Sequence, residues 1–274
     1  MEWQYTPYIL PLLLTAAVSI VIALLSWRVR HEPGAIPLFL LMLAVIVWSL
    51  AYVMELGCIA LSDKIFWARS NYLGIVFVPV MGLLLALQYT GHEKWVTRRH
   101  VSWLLIVPLI TLVLVFTDQW HGLVRRNVEL NPVGANFVPL SRTWGPWFWV
   151  FTAYSYGLVL LSAAMLSRLV AQRYRWYRGQ AIALLVGALV PLVWNVIYVF
   201  DMSPVPQLDL TPSAFAVSGI AWLWAIWRYR LFDVMPVARD ALIDGMSDGM
   251  VVLDARDRVI DLNTGGSIYH WNRV

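Results

Sequence analysis

Glu55, Arg69, Asn71, Tyr154, Asn195 and Tyr198 each stand within or at the end of an otherwise apolar stretch, and His121 follows another closely. Together they offer a carboxylate, a guanidinium, two amides, two phenols and an imidazole. Such a set can orient a small polar ligand or close an ion pair. It does not make a catalytic unit, since the sequence holds no nucleophile elbow, phosphate-binding glycine loop, carboxylate dyad with a supporting His, or CxxC pair. No catalytic residue and no cofactor are therefore expected. His92, Glu93 and His100 lie among Lys94, Arg98 and Arg99, a cationic loop that argues against a metal site.

The elements that carry these groups follow from composition. Sixty per cent of the 274 residues are hydrophobic and 13% charged, which excludes an ordinary soluble domain and fits a polytopic membrane protein. About twenty apolar residues cross the hydrocarbon as a helix. Seven stretches qualify, at 7–27, 35–56, 65–90, 101–118, 146–167, 179–200 and 212–229. The first has no basic leader and no small-residue cleavage site, so it is expected to remain as a span. Cys58 is the single cysteine, which rules out an intrachain disulfide.

Loop charge then sets orientation. Arg28 and Arg30, Lys94 with Arg98 and Arg99, Arg168 with Arg173, Arg175 and Arg178, and Arg228 with Arg230 follow spans one, three, five and seven. The alternate loops are poorer, although 119–145 holds three arginines. The positive-inside rule places the N-terminus outside and the C-terminus in the cytoplasm of a cell inner (plasma) membrane. The basic excess is thus explained by topology, and nucleic acid is not an expected partner. Pro79, Pro108 and Pro191 read as kinks. Tryptophans 3, 95, 103, 144, 147, 149, 222, 224 and 227 read mostly as an interfacial belt.

On this topology the polar groups fall in the outer third of the membrane, with His121 placed to close over them. An ionisable side chain there needs a partner or a wet cavity. One reading is a structural belt in which Arg69 snorkels outward and pairs with Glu55. The other is an outward-facing pocket for an unidentified small-molecule ligand, bound by Glu55, Arg69, Asn71, His121, Tyr154, Asn195 and Tyr198.

Span two ends Trp48-x-x-x-Tyr52-Val53-x-Glu55 and span six ends Trp194-x-x-x-Tyr198-Val199-x-Asp201. The same 146-residue offset aligns Thr6-x-Tyr8 with Thr152-x-Tyr154 and Ala35-Ile36 with Ala181-Ile182. The fold expected is an all-α membrane protein, a seven-transmembrane helix bundle with a 3+1+3 parallel repeat. Under that repeat Glu55 and Asp201 are equivalent. The repeat also motivates an alternative function, a small-solute transporter.

After residue 230 the pattern becomes water-soluble. Residues 231–247 read as a short cytoplasmic linker helix with Pro236 in its first turn. Residues 248–274 hold two runs rich in β-branched residues, Gly249–Asp254 and Arg258–Asn263, that read as a partial β-hairpin.

Taken together, several motifs resemble the N-terminal seven-helix sensor region of prokaryotic histidine kinases, followed by the opening of a PAS domain. They are Trp48-Ser49-Leu50-Ala51-Tyr52, Asn71-Tyr72-Leu73-Gly74, Leu87-Gln88-Tyr89-Thr90-Gly91 and Trp120-His121-Gly122-Leu123. Gly145-Pro146-Trp147-Phe148-Trp149, Pro191-x-x-x-Asn195, Asp209-Leu210-Thr211-Pro212 and Pro236-Val237-Ala238-Arg239-Asp240 complete the set, and the resemblance covers about 1–263. It implies a sensor module at 1–230, a homodimer, and a cytoplasmic kinase or other signalling output reached through Arg230, Pro236, Arg239 and Asp240. The pattern departs after Asn263, where 248–274 reads as a truncated PAS start; the output then lies beyond this sequence or on another polypeptide.

Overall fold

The computed structural model describes residues 3–131, 138–171, 175–203, 205, 207–229, 251–253 and 259–262. Two compact units divide the chain, 1–232 and 233–274. The first is helical: α1 Ile9–Arg28, α2 Ala35–Gly57, α3 Leu61–Ser70, α4 Tyr72–Ile75, α5 Val78–Tyr89, α6 Arg98–Phe116, α7 Pro146–Ala171, α8 Arg175–Val199 and α9 Thr211–Tyr229. The second contributes β3 (Val251–Leu253) and β4 (Val259–Leu262), paired antiparallel. The linker helix expected at 231–247, with the relay residues Arg230, Pro236, Arg239 and Asp240, lies outside the described residues.

Among the described residues six segments are long and apolar enough to cross a membrane: α1, α2, 61–89 as a whole, α6, α7 and 178–199. The seventh expected span is α9, which packs between α1 and α8 as an integral wall.

Helix neighbours close a ring in the order α1, α2, α5, α7, α8, α9 and back to α1, while α6 packs outside against α7. The 146-residue offset maps this ring onto itself, since α1 on α2 becomes α7 on α8, and α5 on α7 becomes α9 on α1. The two acids at its ends do not follow. Glu55 lies inside α2 and is 4% exposed. Asp201 is exposed with φ 56°. Its N–H bonds the Tyr198 carbonyl while that of Met202 bonds Ile197, so it serves as the left-handed stop of α8.

Proline acts differently in each span. Pro108 lies inside α6, where it frees the Leu104 carbonyl; the Tyr154 hydroxyl donates to that oxygen at 2.6 Å. Pro191 is likewise inside α8. Pro79 instead sits in the first turn of α5, where no N–H is required, and the third span is divided into three helices at Asn71 and at 76–77. A kink was expected here. Between the two interruptions Gly74 lets the chain press onto α2, where an added Cβ would lie 2.2 Å from the Ala44 carbonyl oxygen.

The loop between α6 and α7 is not irregular. β1 (Arg125–Leu130) and β2 (Leu140–Trp144) form an antiparallel hairpin with Arg125 opposite Trp144 and Leu130 opposite Leu140. A bulge between Arg126 and Glu129 coincides with Asn127 at φ 49°. At the hairpin's base both Asp118 carboxylate oxygens accept backbone N–H groups, from Val124 and Arg125, each at 2.9 Å.

Candidate functional site

The ring encloses a cavity of about 170 Å³ lined by α2, α3, α4, α5, α7, α8, α9 and β2, with no contribution from α1 or α6. Along α2 it runs from Tyr52 to Leu41, eleven residues or about 16 Å of helix axis. Its wall is apolar and aromatic through most of that depth. The polar groups collect at the end beneath the β1–β2 hairpin.

There Arg142 of β2 is the central cation. Its Nη1 stands 3.8 Å from Glu55 Oε1, its Nη2 donates to the Tyr198 hydroxyl, and its guanidinium lies 5.0 Å from the centre of the Trp144 ring. Trp144 in turn stacks on Phe148 at 3.7 Å. Burial disfavours charge on Arg142, but Tyr198 and Glu55 outweigh that and hold its proton more tightly than usual. The other Glu55 oxygen accepts from Asn71 Nδ2. Arg125, only 6% exposed, donates to the Ala68 carbonyl at 3.0 Å and covers the Tyr72 ring at 5.2 Å.

A second group of bonds binds α7, α8 and the start of α9. Tyr156 donates to Asn195 Oδ1 at 2.9 Å, Asn195 Nδ2 donates to Thr211 Oγ1 at 3.2 Å, and Asp209 Oδ1 accepts the Thr211 N–H at 2.9 Å. The Asp209 N–H donates to the Tyr52 hydroxyl at 2.9 Å. Asp209 is thus an Asx turn at the entry to α9.

Of the seven expected site residues, Glu55, Asn71, Asn195 and Tyr198 meet at this end of the cavity. Three do not join them. Arg69 points to Gln119, 3.5 Å away, and is not the partner of Glu55. His121 accepts the Leu123 N–H at 3.1 Å and sits 3.7 Å from Asp118, holding its own turn together. Tyr154 faces α6. In their place stand Arg142, Tyr52, Tyr156 and Asp209, with Arg125 behind Tyr72, none of which sequence reasoning singled out for the site. The arginines were counted as loop charges; the signal available was the alternating RRNVEL and LSRTW pair, whose hairpin register puts Arg125 opposite Trp144.

The tryptophans also divide. Trp3, Trp95, Trp103, Trp149, Trp224 and Trp227 are exposed, as a belt requires. Trp222 is 3% exposed, lies against Gly187, and donates to the Ala183 carbonyl at 3.1 Å. Trp144 underlies Arg142, and Trp147 donates to Thr111 at 2.9 Å. At the opposite end of the ring the Tyr89 hydroxyl donates to Gln180 across the bundle, and Gln88 accepts the Gly34 N–H at 2.8 Å.

Burial raises the Asp209 carboxyl above its ordinary value, although bonds from Thr211 oppose the shift. A raised folded-state value means a stability contribution that is full below the unfolded value of about 3.9 and is lost as pH rises through the folded value. Asp209→Asn keeps the acceptor for the Thr211 N–H and removes the ionisation. Its thermal midpoint in detergent should therefore fall less than that of the parent protein between pH 4 and 8. Parallel pH profiles for the two proteins would contradict this assignment.

The family model described as the N-terminal 7TM region of histidine kinase matches residues 11–236, from α1 past the end of α9. No curated protein matches the chain.

Proposed function

Because the chain belongs to the family of N-terminal 7TM regions of histidine kinases, we propose that it is a membrane sensor whose central cavity receives a small molecule from the extracytoplasmic side. The observation that carries this reading is the cavity's double attachment. Arg142 of the hairpin covers its polar end, and Phe215 and Trp222 of α9, the helix that leads into the second unit, form part of its wall. A ligand that favours one arrangement of α7, α8 and α9 shifts the position of α9 by its differential affinity.

The loop charges support an external hairpin. With Arg125 buried and Arg142 largely covered, Arg126 is the one exposed arginine of that loop, which deepens the asymmetry against the loops after α1, α5 and α7 and favours an N-terminus outside in the inner membrane. Residues 231–247 then act as the linker helix, with Arg230, Pro236, Arg239 and Asp240 as the relay. Residues 248–274 form the start of a PAS domain, and a homodimer presents it to a kinase output. The antiparallel pairing of β3 and β4 is compatible with that assignment.

The test is autophosphorylation in membrane vesicles of the chain fused to a histidine-kinase catalytic core. Tyr198→Phe and Phe215→Leu should each change the rate about fivefold or more, the range of ordinary allosteric coupling. Trp103→Leu, on exposed α6, should leave it unchanged. Equal rates for all three would remove the sensor reading, and solute uptake by liposomes carrying the chain would favour the transporter instead.

A further inference from the structure

The cavity's bonding pattern also bears on what fills it, given the sensor reading above. Every charged group at its polar end is already engaged. Glu55 has Arg142 and Asn71, Arg142 has Glu55 and Tyr198, and Asp209 has the Thr211 N–H. A charged ligand would have to separate one of these and leave a buried partner uncompensated.

What is unengaged is neutral. Asn71 is 5% exposed, and its Nδ2 is committed to Glu55, so the amide orientation is fixed with Oδ1 as an acceptor; Oδ1 has no partner among the described residues. The Ser155 hydroxyl is buried and equally without a partner there. Both residues belong to the cavity wall. They occupy adjoining walls, since Tyr72, next to Asn71, packs 6.4 Å from Phe151, one helical turn before Ser155. A buried acceptor and a buried hydroxyl left unpaired are costly, and a ligand hydroxyl satisfies both by donating to the first and accepting from the second. Beyond them the wall toward Leu41 and Leu166 is apolar except for Ser162, whose hydroxyl is spent on the Leu158 carbonyl of its own helix.

We infer that the cavity takes an uncharged amphiphile, an apolar chain or ring system bearing a hydroxyl headgroup, with the hydroxyl on Asn71 and Ser155 and the apolar body directed toward Leu41. Carboxylate and ammonium analogues of the same shape are excluded by the occupied ion pair.

Titration of the protein in phosphatidylcholine nanodiscs with ω-bromo-octanol, ω-bromo-octanoate and ω-bromo-octylammonium tests this, because Trp48, Trp144 and Trp222 line the cavity and bromine quenches indole fluorescence. Exposed tryptophans add only a linear, non-saturating background. The alcohol should quench saturably and at least about tenfold more tightly than either charged analogue. Asn71→Leu should weaken it about tenfold and Ser155→Ala about fivefold. Ser155 makes no side-chain bond among the described residues, so its variant is informative even where Asn71→Leu disturbs folding. Charged analogues binding equally well, alcohol affinity untouched in Ser155→Ala and in a folded Asn71→Leu, or no saturable quenching would each overturn the inference. Should phosphorylation still respond to Tyr198→Phe and Phe215→Leu, the sensor reading survives and only the ligand class falls.

Discussion

Replacing Arg142 with alanine lowers the stability of the bundle by about 3–5 kcal/mol, the usual result of removing one member of a buried ion pair. Glu55, 4% exposed, is left with Asn71 as its one polar side-chain partner among the described residues, and the Tyr198 hydroxyl and the Trp144 face lose their cation. The hairpin also loses one of its attachments to the helices, leaving that of Arg125 to the Ala68 carbonyl. Arg142→Lys recovers part of the loss, because a point charge cannot serve Glu55 and Tyr198 with the two arms of one planar fork. Arg142→Met with Glu55→Gln recovers more, since the carboxylate is then neutral. Thermal unfolding in detergent reads all three. A single variant within about 1 kcal/mol of the parent, in the range of exposed pairs, would show that the pair is not a structural anchor.

The second large effect belongs to Gly74. A Cβ built there stands 2.2 Å from the Ala44 carbonyl oxygen and 2.8 Å from the Trp48 backbone nitrogen. Both neighbours are main-chain atoms of α2, so no rotamer change relieves the overlap. Gly74→Ala should cost about 3 kcal/mol, the upper end for overpacking, and Ala44→Gly should not rescue it. Gly157, exposed on α7 with nothing within 4 Å of its Cβ position, is the matched control. Alanine there gains up to about 1 kcal/mol of helix propensity. Equal melting of the two variants would show that α2 and the third span pack less closely than described.

Both effects concern contacts between segments distant in sequence, and this separates what could be read from what could not. The seven spans were legible, because hydropathy over some twenty residues measures directly the cost of placing a helix in lipid. The C-terminal ends of α5 and α8 depend on a few neighbouring residues and follow local rules, whereas Pro79, read as a kink, opens α5 because the third span breaks before it. The hairpin was missed because its two strands are short, and their alternation was masked by the arginines they carry.

By itself, the sequence determined that this chain is a helical membrane bundle, that its family is that of histidine-kinase 7TM regions, and that Glu55, Asn71, Asn195 and Tyr198 require partners. The first and last rest on the cost of burying polar groups, which is a property of each residue alone, and the family on motifs that lie contiguous in sequence. Only the tertiary structure decided who the partners are. Glu55 pairs with Arg142 of the hairpin and not with nearby Arg69; Tyr154 serves the carbonyl freed by Pro108 and not the cavity. Helix rotation and hairpin register choose among chemically equivalent cations and acceptors, and both are set by packing across the whole ring.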